Sequence, residues 1–291
     1  MSDDAGFERL RPHLLRLAYS QLGSLTEAED VVQEAWLRLQ RIDPEAIEDL
    51  RAWLTTVVGR LSLDALRSAR VRREQYIGPW LPDPLVETPS AEPDPADRAT
   101  LDESVSHALL VVLETLSPAE RTAFVLHDVF GFAFEEVGVI VGRSSASARQ
   151  LASRARRHVA EQRPRFPASL EQQRRVVEAF TAAAAEGDLD GLMALLDPDV
   201  VMRSDGGGRV NAARKPIVGA DRVGRSLLAL ARKGMSTSQV EIVDVNGAPG
   251  LLVTEASGIL TVTAFTIDDG RIVALDVVRN PEKLRHVQRA M

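Results

Sequence analysis

Apolar residues recur at helical spacing in two stretches of the chain, residues 7–75 and residues 97–163. Thr26 stands where an N-cap is expected, and Glu29 completes a capping-box pattern three residues later. The apolar residues that follow fall on one face of a helix. They are Val31, Val32, Ala35, Trp36 and Leu39. We therefore predict that residues 7–75 are helical, with one helix over about 49–73.

A second helical stretch is predicted over residues 97–163. Ser117 is a candidate N-cap, Pro118 takes the first helical position, and Glu120 completes a capping box. Gly131 is a natural end for this helix. Two helices then follow around a short turn at Gly142–Ser144, which predicts a helix-turn-helix over residues 134–157.

The pattern changes after residue 168. Helices are predicted over about 170–186 and 189–196, and Ser169 caps the first. From Val200 onward apolar and polar residues alternate as in strands, with one helix near 220–233. Turn sequences separate several strands, at Asp205–Gly208, Asn246–Gly247 and Asp269–Gly270. An α+β domain is predicted over residues 170–291, with a curved antiparallel sheet packed on helices.

Residues 76–96 are predicted to be an inter-domain linker. Six prolines fall between residues 79 and 95, so neither helix nor sheet is expected to continue there. The linker nevertheless begins with Tyr76, Ile77, Trp80 and Leu81, whose apolar area is poorly placed in water. We hypothesise that it packs on the C-terminal domain near the Asp205–Arg209 turn; the alternative is packing on its own helices.

Charge is segregated along the chain, although its net value is −7. Residues 51–73 hold six Arg and one Asp, residues 76–116 hold eight acids and one Arg, and residues 143–157 hold five Arg and no acid. Two basic segments on either side of an acidic one indicate local contacts with a polyanion. Solvated helix faces are the alternative.

Composition excludes several classes of site. The absence of Cys excludes disulfides, thiolate metal sites and Cys nucleophiles. The N-terminus lacks a signal-peptide pattern, and no apolar run approaches the roughly 20 residues that span a bilayer. We expect a cytoplasmic protein without a membrane contact, a metal site or a cofactor.

The second helix of the predicted helix-turn-helix carries side chains suited to DNA. Arg can bridge guanine O6 and N7, Gln can bind adenine, and Ser or further Arg can hold phosphates. A helical hairpin that merely exposes arginines is the alternative. The candidate residues are Ser145, Ser147, Arg149, Gln150, Ser153, Arg154 and Arg157.

Three segments together resemble regions 2 and 4 of extracytoplasmic-function (ECF) sigma factors of the sigma-70 family. They are TEAEDVVQEAWLRL, RAWLTTVVGRLSLDALRSARVRRE and LSPAERTAFVLHDVFGFAFEEVGVIVGRSSASARQLASRARRHV. Their order and spacing also match, and the resemblance covers residues 7 to about 160. It implies that residues 7–75 are region 2 and that residues 97–163 are region 4.

The resemblance implies an RNA polymerase sigma factor, with core RNA polymerase (its clamp coiled coil and flap) and promoter DNA as partners. Asp30, Val31, Val32, Gln33 and Glu34 match the family's core-binding motif. Arg60, Arg67 and Arg70 are the implied contacts at the −10 element, and the helix-turn-helix would bind the −35 element. Leu61 stands where the family often has Asn after Arg, which puts a base contact there in doubt.

The C-terminal domain resembles the SnoaL-like, or NTF2-like, cone fold, which a subgroup of these sigma factors carries as a fused extension. Three motifs match that subgroup: YIGPWLPDP at 76–84, DGGGR at 205–209 and NPEKL at 280–284. The resemblance implies regulation in cis through these motifs. The candidate residues are Tyr76, Gly78, Pro79, Trp80, Leu81, Pro82, Asp205, Gly206, Gly207, Gly208, Arg209, Asn280, Pro281, Lys283 and Leu284.

Two other functions stay open at this point. Asp205, Asp276 and Arg279 are candidates to line a ligand cavity, and His286 is the only His in residues 166–291, so a ligand-binding or enzymatic domain fused to a DNA-binding regulator is one alternative. An ordinary dimeric helix-turn-helix repressor is the other. No paired catalytic constellation is visible, so we expect no enzyme; an anti-sigma partner is left open.

Overall fold

The computed structural model describes residues 2–43, 47–87, 105–162, 168–234 and 238–290. The chain divides into two units. The first comprises residues 1–74, 93–105 and 109–163, and the second comprises residues 75–92, 106–108 and 164–291.

Three helices open the first unit: α1 (Ser2–Leu22), α2 (Leu25–Leu39) and α3 (Leu50–Glu74). The predicted apolar face of α2 is confirmed, because four of its residues are buried and Trp36 packs on Phe7 with ring centroids 4.7 Å apart. The predicted cap is wrong. Gly23, with a φ of 66°, already ends α1, so α2 begins after Ser24 and Thr26 lies exposed in its first turn.

Four more helices follow in the described part of the chain, and they belong to this unit except for residues 107 and 108. They are α4 (His107–Leu113), α5 (Pro118–Phe124), α6 (Phe134–Val141) and α7 (Ser145–Gln162), with a π-helical turn at Val125–Val129. The predicted capping box of Ser117 and Glu120 is confirmed. Gly142 ends α6 in the left-handed conformation, with a φ of 68°. A Cβ on Gly138 would lie 2.8 Å from the Arg143 carbonyl oxygen, so glycine permits the tight turn of the helix-turn-helix.

A buried ionic cluster joins α3, α4 and α5. Glu114, which follows α4, accepts hydrogen bonds from Arg73 of α3 and from Arg121 of α5. Arg121 is only 2% exposed, and Arg73 also donates to the Leu22 carbonyl oxygen at 3.0 Å. Burial lowers the pKa of Arg73, while the charge of Glu114 opposes that shift. Glu114 is therefore the carboxylate that links the two arginines, while Glu27 lies 3.9 Å from Arg73.

The second unit combines four helices with a seven-stranded sheet among the described residues. Its helices are α8 (Leu170–Glu186), α9 (Leu189–Leu195), α10 (Ala220–Gly234) and α11 (Arg285–Ala290). Its strands are β1 (Val86–Glu87), β2 (Leu196–Asp205), β3 (Ile217–Val218), β4 (Gln239–Val245), β5 (Ala248–Thr254), β6 (Leu260–Asp268) and β7 (Arg271–Val278). Val177, Phe180, Met202, Phe265 and Leu275 belong to the core between the layers.

The sheet order is β1-β4-β5-β6-β7-β2-β3. The expectation of a wholly antiparallel sheet is wrong at one pair, because β2 and β7 are parallel. Four strands (β3, β4, β5 and β6) and the helix α10 separate β2 from β7 in the chain, so β7 can return beside β2 in the same direction. Arg203 and Asp276 are direct partners across this pair, on the face opposite the core residues Met202 and Leu275.

Residues 75–87 are integrated into the second unit, and we call them the connector. The expectation that no sheet would form here is wrong at its end, where Val86 and Glu87 pair with β4 as β1. Leu85 donates to the Asn246 side chain at 3.1 Å, and the Asn246 backbone N–H donates to the Leu85 carbonyl at 2.9 Å. Pro82 and Pro84 precede the strand, so their missing N–H groups do not interrupt its pairing.

Candidate functional site

The exposed face of α7 carries the predicted DNA-binding side chains. Arg149, Gln150, Ser153, Arg154 and Arg157 are exposed, and Ser145 and Ser147 are half-buried. Ala148 and Ala155 are buried on the opposite side, as the pattern indicates. The Ser144 side chain accepts the Ser147 backbone N–H at 3.2 Å and thereby caps the helix.

Two arginines of α7 are engaged by acids of the preceding elements. Arg154 pairs with Glu120 at 2.8 Å, and Arg156 pairs with Asp128. The hydrogen bonds from Ser117 and Arg154 lower the pKa of Glu120, so this carboxylate stays charged. Arg154 therefore helps to hold α7 on α5, a role that the sequence did not suggest.

The predicted core-binding motif on α2 is divided between surface and core. Asp30 and Gln33 are exposed, whereas Val31 and Val32 are only 7% and 4% exposed and belong to the helical core. Glu34 is half-buried and pairs with Arg38 at 2.9 Å. A partner docking on this face would therefore meet Asp30 and Gln33, while the two valines fix the helix that presents them.

The predicted −10 contacts lie on α3. Arg60 is exposed and donates to the Val139 carbonyl oxygen of α6 at 3.1 Å. Arg67 is exposed and pairs with Asp64 at 3.1 Å. The Arg70 side chain lies outside the described residues. The structure thus presents two of the three predicted arginines, each with a protein partner.

Asp205 is the centre of the contacts between the connector and the sheet. Its carboxylate is fully buried and accepts from the Tyr76 hydroxyl at 2.6 Å, the Leu81 backbone N–H at 2.9 Å and the Gly207 N–H at 3.0 Å. Asn280 donates to the Tyr76 hydroxyl oxygen at 2.9 Å.

Burial is the main cause, and the hydrogen bond to Asp205 the second, of a pKa of Tyr76 far above its ordinary value. Tyr76 therefore stays protonated and donates. The hypothesis that the linker packs near the Asp205–Arg209 turn is confirmed.

Lys283 neutralises this buried carboxylate. Its ammonium group lies 2.9 Å from Asp205, donates to the Leu81 carbonyl oxygen, and sits 3.8 Å from the centroid of the Trp80 ring. A cation over an aromatic face adds to the ion pair, more strongly where water is excluded. Lys283 thus contacts Asp205 and two residues of the connector, Leu81 and Trp80.

The three glycines after Asp205 permit this close packing. A Cβ on Gly207, whose φ is 62°, would lie 2.4 Å from the Asn280 amide nitrogen, and one on Gly208 would lie 2.8 Å from Ile77. A Cβ on Gly206 would meet the Val210 carbonyl oxygen at 2.3 Å. The glycines therefore form the turn and also allow Asn280 and Ile77 to pack closely against it.

The other candidates of these motifs fall in the same unit. Arg209 pairs with Glu282 at 2.6 Å on the surface, so it binds the acid of the NPEKL motif and not the connector. Gly78, with a φ of 88°, passes the Arg214 backbone, and Leu284 is fully buried. Pro82 is buried, whereas Pro79 and Pro281 are half-buried.

His107 is a member of this unit that sequence reasoning missed. It is 3% exposed, its Nε2 lies 3.4 Å from the Pro82 carbonyl oxygen, and its Nδ1 lies 4.0 Å from Asp276. Burial lowers the pKa of His107, against the opposing effect of Asp276, so the imidazole is neutral at neutral pH. No local pattern marks His107, since its partners are far away in the sequence.

Asp276 and Arg279, proposed as cavity-lining residues with Asp205, are occupied by protein partners. Asp276 is 1% exposed and pairs with Arg203 at 2.6 Å. Arg279 donates to Thr261 at 3.1 Å and to the Asn211 carbonyl at 2.6 Å. Among the described residues, no group of three His, Asp or Glu side chains could hold a metal ion.

Three known domain families match successive segments of the chain. Residues 7–72 match sigma-70 region 2, residues 106–159 match sigma-70 region 4, and residues 177–275 match the SnoaL-like domain. The chain is 43% identical to the ECF RNA polymerase sigma factor SigJ of Mycobacterium tuberculosis over 292 residues, which cover 95% of this chain and 91% of that protein. The chain belongs to the ECF family of RNA polymerase sigma factors.

Other relatives of this sigma factor support the same assignment. It is 39% identical to the probable ECF RNA polymerase sigma factor SigI of M. tuberculosis, over 96% of this chain and 94% of the relative. The crystal structure of M. tuberculosis SigJ superposes with a TM-score of 0.80 at 40% identity, covering 97% of this chain and 98% of that one. None of the helices searched among the described residues of the sigma factor is long and apolar enough to cross a membrane.

Proposed function

We propose that this sigma factor binds core RNA polymerase through the exposed edge of α2, and the −10 and −35 elements through α3 and α7. We further propose that the second unit regulates it in cis by holding the connector. The sigma factor performs no covalent chemistry of its own in this proposal, because Asp205 and Asp276 are engaged by protein partners. It works by binding and by strand separation.

One observation carries the proposal of regulation in cis. Between the residues that match region 2 and those that match region 4, the described residues 75–87 do not form an independent spacer. Residues 75–87 and His107 belong instead to the second unit, through Asp205, Lys283 and Asp276. The SnoaL-like domain therefore fixes the path of the chain on both sides of residues 88–104.

Polymerase binding is tested by the double substitution Asp30→Ala/Gln33→Ala. Both side chains are exposed, so the bundle should keep its fold while the docking face loses a charge and an amide. We expect affinity for core polymerase to fall by about 2–3 kcal/mol, or roughly 30- to 150-fold, in a fluorescence-anisotropy titration. Glu178→Ala on the exposed face of α8 is the matched control. Unchanged polymerase affinity, with DNA binding in the absence of polymerase also unchanged, would favour the repressor alternative.

Regulation in cis is tested by Tyr76→Phe, which removes the hydroxyl between Asp205 and Asn280 and keeps the ring. We expect the packing of the connector on the second unit to be weakened by about 1–2 kcal/mol, so that promoter-directed transcription changes at equal polymerase occupancy. The direction of the change gives the sign of the regulation. Arg209→Gln, which removes an exposed ion pair near the same turn, is the control. Transcription equal to wild type would remove the connector from the regulatory mechanism.

A further inference from the structure

We propose that Phe134 and His127 are positioning residues that orient Arg149 for base recognition at the −35 element. The inference rests on the proposed function of α7 and adds two residues from outside that helix. Neither residue was a candidate from sequence. Both lie in the elements that precede α7: Phe134 is the first residue of α6, and His127 lies in the π-helical turn.

The three side chains form a continuous stack. The Arg149 guanidinium carbon lies 5.1 Å from the centroid of the Phe134 ring. The Phe134 ring in turn stacks on the His127 ring, with centroids 3.8 Å apart and planes 25° from parallel. Phe134 and His127 are half-buried and Arg149 is exposed, so the stack runs from the body of the domain to its surface.

The base of the stack is fixed by hydrogen bonds. His127 Nδ1 lies 2.7 Å from the Phe132 carbonyl oxygen, and since a carbonyl only accepts, Nδ1 carries the proton and donates. Backbone bonds from Phe130 to Val125 at 3.1 Å and from Phe132 to Leu126 at 3.0 Å hold the surrounding turn. The His127 ring therefore has one orientation, and it supports Phe134 in one orientation.

Arg149 differs in this respect from its neighbours on α7. Arg154 and Arg156 direct their guanidinium N–H groups at carboxylates. Within the described residues Arg149 has no carboxylate partner and lies on an aromatic ring instead. A ring face attracts the guanidinium without using its five N–H donors. Arg149 is thus restrained and yet keeps the paired donors that recognise guanine.

The restraint on the Arg149 side chain should appear as selectivity for the base pair that Arg149 contacts. An arginine side chain loses rotamer freedom when it binds a base, and a side chain already held in place loses less. A cation–π contact at an exposed site corresponds to about a two- to fivefold effect. We therefore expect the stack to contribute a factor of this size to discrimination at the base pair that Arg149 contacts, and little at other positions.

The test uses the full chain with core polymerase, and measures competitive binding to promoters with each base pair of the −35 element substituted in turn. Arg149→Ala first identifies the base pair at which selectivity is lost. Phe134→Leu, which keeps an apolar side chain and removes the ring, should lower selectivity two- to fivefold at that base pair. Phe134→Tyr, which keeps the ring face, should retain it. In an Arg149→Ala background, Phe134→Leu should have no further effect.

A purely structural role for Phe134 predicts a different result. Phe134→Leu would then weaken binding to all promoters equally, would do so in the Arg149→Ala background too, and would overturn the inference. Selectivity unchanged by Arg149→Ala would overturn both the inference and the assignment of Arg149. Failure of the wild-type chain to bind core polymerase would instead overturn the proposed function, so the two failures are distinguishable.

Discussion

Asp205→Asn is expected to destabilise the packing of the connector on the second unit by about 3–5 kcal/mol, because the buried Lys283 ammonium loses its anion at 2.9 Å and keeps the more distant Asp83, at 4.0 Å. The substitution keeps the size of the side chain, so cavity formation does not contribute. It also places an amide where the Leu81 N–H now meets a carboxylate oxygen. Hydrogen exchange of the peptide covering residues 75–87 measures the result directly, as a rise of about two to four orders of magnitude in the exchange rate of the Leu81 amide.

The surface pair beside this site is a matched control. Arg209→Gln removes a charge from an ion pair whose side chains are 62% and 47% exposed, and we expect a change below about 1 kcal/mol. A second control removes both buried charges. Asp205→Asn/Lys283→Met should recover part of the lost protection, because a buried ion pair can be replaced by apolar groups at little cost. Exchange in Asp205→Asn as slow as in the wild type would show that this carboxylate does not hold the connector.

Glu114→Gln is expected to lower the free energy of unfolding of the first unit by about 3–5 kcal/mol. Arg121, at 2% exposed, would keep its charge inside the domain after losing its carboxylate, and Arg73 would lose the same partner. A urea titration followed by circular dichroism measures the change as a lower unfolding midpoint with the same slope.

The control for this substitution is Glu34→Gln. That acid pairs with Arg38 on the surface of α2, where the side chains are 42% and 46% exposed, and its loss should cost less than about 1 kcal/mol. Equal midpoints for the two variants would mean that Arg73 and Arg121 find other acceptors, and that Glu114 does not hold α3, α4 and α5 together.

The features predictable from the sequence are those that depend on neighbouring residues or on a known motif. The apolar face of α2 and the Ser117–Glu120 capping box follow from spacing alone, and both are present. The packing of the connector near Asp205 could be predicted because Tyr76 and Trp80 are too apolar for a solvated linker and because three short motifs resemble those of one subgroup.

The features that were missed depend on partners distant in sequence. His107 was assigned to the helical half because nothing around it distinguishes it, although its neighbour Asp276 lies on β7. The parallel pairing of β2 and β7 is decided by the path of the whole domain, which alternation within a strand does not encode. The acids that pair with Arg154 and Arg156 are likewise 34 and 28 residues away, so an arginine-rich helix could not be separated into paired and unpaired side chains.

The connector contacts also impose an order on biosynthesis. Asn280 follows Tyr76 by 204 residues, and Lys283 follows Leu81 by 202. At about 5–20 residues per second, a ribosome needs roughly 10–40 s to reach one partner after the other. Throughout this interval the helices of the first unit can already fold, while Tyr76, Trp80 and Leu81 have no sheet to cover them. In the proposed mechanism, a newly made chain is therefore not regulated by its C-terminal domain until Asn280 and Lys283 have been translated.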